Sequence, residues 1–268
     1  MERIARLETL ARAGYAARGV VYLLLGYFAL TTGGGEGTST VLERLDNAPG
    51  GRLVLFLIAL GLLGYGLFRL YGGWLDLDGN GSKPGGLFKR VGQAASGIAH
   101  IALSVVAVKV ALGMGQGGDS ARGTAETAFT FPGGSLAVGI VGALIVVAGL
   151  GNLLEAWAAK FRNVLDARAP DWTNYAGRAG YAARGAVFTM IGWQVIALSV
   201  GLDDGRIGME SAMAELHRRE WLFTAIAIGL GLFGLFSLVM AAYARIRDEN
   251  VIERLKAEVR SATSSTAR

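Results

Sequence analysis

Six runs of about 19 to 24 mostly apolar residues divide this 268-residue chain, and each is long enough for a helix to cross a hydrocarbon layer of ~30 Å at about 1.5 Å per residue. They cover 14–32, 53–71, 92–112, 135–158, 180–200 and 221–243. Backbone polar groups in lipid must be satisfied within the segment, so such runs are expected to be transmembrane helices. Charged residues make up only 18% of the chain, below the ~25% of soluble domains, which agrees with a membrane class. The first run follows Arg3, Arg6 and Arg12 but does not read as a signal peptide. It is longer than an ordinary signal core, no small-x-small cleavage site follows it, and a near copy begins inside the chain at Gly180.

Six crossings put both termini on one side, and the basic residues say which. With the amino end inside, the inner segments (1–17, 72–92, 159–179, 244–268) hold sixteen Lys and Arg, and the outer segments (33–52, 113–134, 201–220) hold six. By the positive-inside rule both termini are expected in the cytoplasm of a cell whose inner, or plasma, membrane holds the protein. The same asymmetry explains the net charge of +5 without a nucleic-acid partner, and none is expected. Tyr15, Tyr71, Trp74, Trp157, Tyr181, Trp221 and Tyr243 lie near span ends, where interfacial aromatic belts are expected.

The chain repeats itself. "RAGYAARGVVYLLLG" begins at Arg12, "RVGQAASGIAHIALS" at Arg90 and "RAGYAARGAVFTMIG" at Arg178. One arginine and two glycines recur in all three, as Arg12/Gly14/Gly19, Arg90/Gly92/Gly97 and Arg178/Gly180/Gly185. The second span of each unit aligns too: an offset of 83 carries Pro49-Gly50-Gly51 to Pro132-Gly133-Gly134 and Trp74 to Trp157, and an offset of 168 carries Gly61 to Gly229 and Gly66 to Gly234. The unit is therefore an odd helix, an outer loop with a short amphipathic helix, and an even helix, as in "TVLERLDNAPGG" and "GMESAMAELHRREW". Three units in one orientation imply a pseudo-threefold axis along the membrane normal. The units are read as 1–80, 81–168 and 169–245, with a tail at 246–268, all within one membrane domain. These openings, with the "GLF" even helices at Gly66-Leu67-Phe68 and Gly234-Leu235-Phe236, resemble the domain-of-unknown-function 1206 family, bacterial membrane proteins with three tandem two-helix repeats. The resemblance implies the all-α, six-span fold and carries no activity with it.

Polar residues inside the spans mark where chemistry could sit. Residues at i, i+3 and i+7 share a helix face, which reads Tyr15, Arg18, Tyr22 in the first unit, Gln93, Ser96, His100 in the second and Tyr181, Arg184, Phe188 in the third. Polar faces avoid lipid, so these are expected to face protein or water. Arg69, Asn152 and Ser237 are repeat-equivalent and lie ~25 Å from the outer end, while Arg18 and Arg184 lie ~6 Å from the inner end, which puts both sets at one level. Glu155 shares the face of Asn152. The expectation is a cytoplasm-facing cluster of Arg18, Arg69, Arg184, Asn152 and Glu155, with Gln93, Ser96 and His100 nearby, that receives a ligand or an anionic lipid. The plainer alternative is that such arginines snorkel to lipid phosphate or form structural ion pairs. Lys109, near an outer end, is expected to snorkel.

Other chemistry has little support. The chain has no cysteine, hence no disulfide, thiolate metal site or thiol nucleophile, and its two histidines, His100 and His217, lie in different regions. "DLDGNG" at Asp76 to Gly81 matches half of a calcium loop, but Leu87 stands where the final glutamate belongs, so it reads as a turn. No nucleophile elbow, zinc-helix or phosphate-loop motif occurs, so no metal, cofactor or catalysis is expected. Small-xxx-small pairs such as Ala13/Ala17, Ala179/Ala183, Gly139/Ala143 and Ala227/Gly231 read as packing seams. Ile252, Leu255 and Val259 give the tail helical spacing, a candidate surface for a protein partner. The function expected first is a non-catalytic structural or lipid- or partner-binding membrane protein, with a small-solute transporter or channel on the pseudo-threefold axis as the alternative.

Overall fold

The computed structural model describes residues 2–32, 38–76, 81, 83–114, 120–202 and 209–244. The tail with Ile252, Leu255 and Val259, and positions 77–80 of the Gly-rich turn, lie outside the described residues. The helices are α1 (Glu2–Thr32), α2 (Thr38–Asp46), α3 (Gly51–Leu75), α4 (Pro84–Ala111), α5 (Ser120–Phe129), α6 (Gly134–Ala158), α7 (Thr173–Ser199), α8 (Met209–His217) and α9 (Glu220–Tyr243), with a 3-10 turn at Lys160–Val164 between α6 and α7. The six long helices α1, α3, α4, α6, α7 and α9 are each long and apolar enough to cross a membrane, so the chain is a multi-pass helical membrane protein. They coincide with the six apolar runs, and α1, α4 and α7 begin earlier than those runs do. Nothing breaks them where hydrophobicity stops, and α4 starts where Pro84 supplies a first helical position that needs no N–H.

The short helices α2, α5 and α8 link the odd to the even spans and bury Leu42, Ala125 and Met213 against them. The Pro-Gly-Gly turns that start α3 and α6 have a steric cause. Gly50 and Gly133 sit at φ 76° and 81°, which favours glycine, and a Cβ on the following Gly51 or Gly134 would lie 1.7 or 1.8 Å from the carbonyl oxygen of Leu45 or Ala128.

The long helices pack in the order α4, α3, α1, α9, α7, α6. The closest seams join the even helix of one unit to the odd helix of the next: α3 with α4, α6 with α7, and α9 with α1. These three are equivalent under the pseudo-threefold operation, and glycines explain them. A Cβ on Gly97 would stand 2.7 Å from the Gly66 oxygen, one on Gly185 2.9 Å from the Gly149 oxygen, and one on Gly19 3.0 Å from the Gly234 oxygen. Those pairs are the repeat glycines of the odd and even helices, so backbones cross where no side chain intervenes.

The recurring arginine also gains a role. Arg90 donates from Nε to the Gly73 oxygen at 2.8 Å and from an Nη to the Trp74 oxygen at 2.7 Å. Arg178 does the same to Ala156 at 2.9 Å and Trp157 at 2.5 Å. Each supplies donors to last-turn carbonyls of the preceding even helix and sets a cation at the negative end of its dipole.

Within units 1 and 3 the hairpin partners α1 and α3, and α7 and α9, also pack. In unit 2, α4 and α6 do not pack along their length. α4 nevertheless turns Gln93 and His100 away from solvent and lipid, and the His100 ring meets Tyr65 of α3. The series of packed helices therefore begins at α4 and ends at α6, with no comparable seam between those two.

A buried arginine–aromatic interior

Arg18 on α1 is turned into the bundle rather than toward lipid phosphate, and only 4% of it is exposed. Its Nε donates to Ser237 Oγ on α9 at 3.1 Å and an Nη donates to the Tyr65 hydroxyl on α3 at 3.0 Å. Ser237 keeps its own bond to the Phe233 oxygen at 2.8 Å. The guanidinium lies 5.0, 5.3 and 4.8 Å from the ring centroids of Tyr15, Tyr65 and Phe233, so aromatic faces supply the negative potential that a carboxylate would otherwise provide. The bond to Ser237 spans two units at the level that helix geometry assigns to both residues.

Arg184, the repeat mate of Arg18 on α7, has different company. Its guanidinium lies 4.7, 5.1 and 5.8 Å from the rings of Phe188, Phe233 and Tyr22. Its buried Nε has no hydrogen-bond acceptor. The cause is written in two substitutions. Where Arg18 meets the Tyr65 hydroxyl, the equivalent residue facing Arg184 is Phe233, which has none. Where Arg18 meets Ser237, the equivalent residue is Asn152, whose amide donates instead to Ala148 of its own helix at 2.7 Å. Arg184 and Arg18 thus approach the same Phe233 ring, and only Arg18 has neutral acceptors.

The remaining candidate residues fall around them. Arg69 on α3 is half-buried, and its charge acts on Tyr15 and His100. Gln93 and His100 on α4 are buried, and Ser96 between them is half-buried. His100 Nδ1 lies 2.7 Å from the Ser96 carbonyl, which can only accept, so Nδ1 carries a proton and Nε2 is left for other use. Its ring meets Tyr65 edge-on with centroids 4.7 Å apart. Glu155 does not join the guanidinium groups: its Oε1 accepts the Phe161 N–H at 2.6 Å and fixes the 3-10 turn that follows α6. Asn152 likewise bonds its own helix. The structure brings Arg18, Arg184, Arg69, His100 and Gln93 toward one interior and ties Asn152 and Glu155 to nearby backbone.

Two expectations about aromatics change. Trp74 and Trp157, 81% and 80% exposed, lie at helix ends as an interfacial belt requires. Tyr15 and Tyr181 do not belong to that belt. Tyr15 packs on Tyr65 at 5.4 Å, and Tyr181 packs on Phe161 and Phe233 at 5.5 and 5.2 Å, filling the interior beside the arginines. Tyr65 and Phe233 were not among the candidates, although they stand at one repeat position, directly before Gly66 and Gly234. Asp76 Oδ2 accepts the Gly81 N–H at 2.6 Å and closes its own turn. Among the described residues no group of three or more His, Cys, Asp or Glu could hold a metal ion.

Comparison with known proteins agrees with the repeat. A family model described as Domain of Unknown Function (DUF1206) matches residues 13–76, 91–159 and 179–244, one match per unit. The uncharacterized protein YxxB of Bacillus subtilis (strain 168) is 30% identical over 251 residues, covering 88% of this chain and 91% of that protein. No solved structure matches.

Proposed function

The chain belongs to the DUF1206 family, and from that premise we propose that it is a non-catalytic binding protein whose interior receives an anionic group at Arg184. One observation carries the reading: Arg184 is a membrane-embedded guanidinium with neither hydrogen bond nor carboxylate among the described residues, while its repeat mate Arg18 has two acceptors. A cation held among rings leaves the buried Nε donor unsatisfied, and a phosphate or carboxylate oxygen is the acceptor with the most to gain there. Arg18 and Arg69 add positive potential, and Glu155, the acid among the candidate residues, is already engaged with Phe161. Binding is favoured over solute transport because the rings of Tyr15 and Tyr65, and of Tyr181 and Phe233, pack on one another beside the arginines.

The preferred setting is the plasma membrane, with both termini in the cytoplasm, on the asymmetry of sixteen basic residues against six. Arg184 then lies at the depth of the inner leaflet, where phosphate esters of lipids or soluble anions can reach it. The test is thermal unfolding of purified protein with and without inorganic phosphate or phosphatidylglycerol, in the wild type and in Arg184→Gln. Ligand binding to the native state raises the apparent stability, so the wild type gains several degrees and the variant does not. Equal gains in both proteins, or none in the wild type, would refute the reading.

A further inference from the structure

The middle unit lacks the seam that the other two possess, and its sequence says why. In units 1 and 3, a glycine of the even helix meets alanines of the odd helix: a Cβ on Gly61 would lie 2.5 Å from Ala17 Cβ, and one on Gly229 2.5 Å from Ala183 Cβ. Aromatic rings complete the closure. Tyr65 covers Gly14, Phe233 covers Gly180, and each is followed one turn later by a second ring, Phe68 or Phe236.

In unit 2 the odd helix keeps Gly92 and Ala95, but the other elements differ. Leu144 stands at the position of Gly61 and Gly229, and Val91 at that of Ala13 and Ala179. Ala148 replaces Tyr65 and Phe233, and Gly151 replaces Phe68 and Phe236. Leu144 and Val91 are bulkier than the glycines and alanines they replace, and Ala148 and Gly151 supply no ring to close the pair. Gly92 and Gly151 are exposed, and a Cβ on either would meet nothing within 4 Å. Leu144 is 41% exposed and Ala148 is exposed, whereas Tyr65 and Phe233 at the latter's position are buried. The opening lies at the depth of the orphan cation, since Gly149, next to Ala148, crosses α7 at Gly185, next to Arg184.

We infer that the slot between α4 and α6 admits one anionic phospholipid sideways from the bilayer, with an acyl chain against Leu144, Ala148 and Gly151 and its phosphate at Arg184. This rests on the reading of Arg184 as an anion receptor and adds the ligand class and its route. A lipid fits both halves of the geometry. The slot is walled by aliphatic residues within two membrane-spanning helices, where acyl chains are the surrounding solvent. The inner end presents guanidinium groups that a phosphodiester complements. Closed hairpins in units 1 and 3 leave this as the lateral entrance.

The experiment is native mass spectrometry of the full chain released from vesicles of equal parts phosphatidylglycerol and phosphatidylcholine, beside thermal shifts with inorganic phosphate. Three proteins are compared: wild type, Arg184→Gln, and Ala148→Phe/Gly151→Phe, which restores the rings of the other units. The wild type should retain one phosphatidylglycerol. The double variant should lose it at least tenfold while keeping its response to inorganic phosphate. Arg184→Gln should lose both. Retention by the double variant equal to wild type overturns the slot and leaves the anion reading standing. Retention and phosphate response unchanged in Arg184→Gln overturn both. Equal retention of phosphatidylcholine by the wild type overturns selection by charge. A wild-type dimer that becomes monomeric in the double variant assigns the slot to a second copy and overturns the inference. If the double variant does not fold, Ala148→Tyr, the residue of unit 1, carries the same expectation with a smaller side-chain addition.

Discussion

Replacing Arg18 and Arg184 separately with glutamine should have opposite consequences for stability, although the two occupy one repeat position in "AGYAARG". Arg18→Gln removes charge-assisted bonds to Ser237 at 3.1 Å and Tyr65 at 3.0 Å. Such bonds contribute about 1.5–3 kcal/mol each, and part of that loss is returned because a buried charge no longer has to be desolvated, so a net cost of ~3 kcal/mol is expected. For a chain of this size that corresponds to a fall in Tm of about 6–12 °C. Arg184→Gln loses no hydrogen bond, because its Nε has none and its guanidinium meets only rings. Those ring contacts are worth about 0.5–1 kcal/mol each, and relief of an unpaired, partly buried charge opposes the loss. The net change should stay within ~1 kcal/mol of zero, or favour the variant. The assay is thermal unfolding in neutral detergent free of phosphate and anionic lipid. A fall in Tm for Arg184→Gln as large as that for Arg18→Gln would mean that Arg184 is held as firmly as its mate. The argument for an unsatisfied cation would then fail.

Other outcomes follow from the seams and the orientation. Arg178→Ala strips the last carbonyls of α6 of two donors and should cost ~2 kcal/mol, a value kept low because the side chain is exposed. Arg178→Lys should recover only part of this in the same unfolding assay, since an ammonium does not reproduce the two-pronged geometry. Gly97→Leu places a side chain where even a Cβ meets the Gly66 oxygen at 2.7 Å, and it should destabilise the α3–α4 crossing by about 1–3 kcal/mol or abolish folded yield on size exclusion. Because the chain has no cysteine, single replacements report orientation cleanly. Asn47→Cys should react with a membrane-impermeant thiol reagent in intact cells, and Asn163→Cys only after permeabilisation; the reverse pattern would invert the proposed topology.

Much of the fold was legible because it depends on local quantities. Span length is a property of one apolar run, and the repeat is visible in Arg12, Arg90 and Arg178 at matching places. The common level of Arg18 and Ser237 followed from helical rise alone, and their hydrogen bond bears it out. The candidate cluster was legible only in part. Glu155 shares a helical face with Asn152, but its carboxylate satisfies a backbone N–H at Phe161, a demand created by a turn that no periodicity in α6 announces. Tyr15 and Tyr181 sit at sequence positions suited to an interface and turn inward, because the even helix of their own unit brings Tyr65 or Phe233 against them.

By itself the sequence determined six crossings, three copies of one hairpin, and the turns at Pro49-Gly50-Gly51 and Pro132-Gly133-Gly134, since apolar length and backbone sterics act within a single stretch of chain. Only the tertiary structure decided which helix faces meet. It paired each even helix with the next odd one through facing glycines, turned Arg18 onto Ser237 and Tyr65, left Arg184 among rings, and parted α4 from α6. Those outcomes depend on side chains far apart in the chain competing for the same space, and a run of residues read alone contains no record of its opponent.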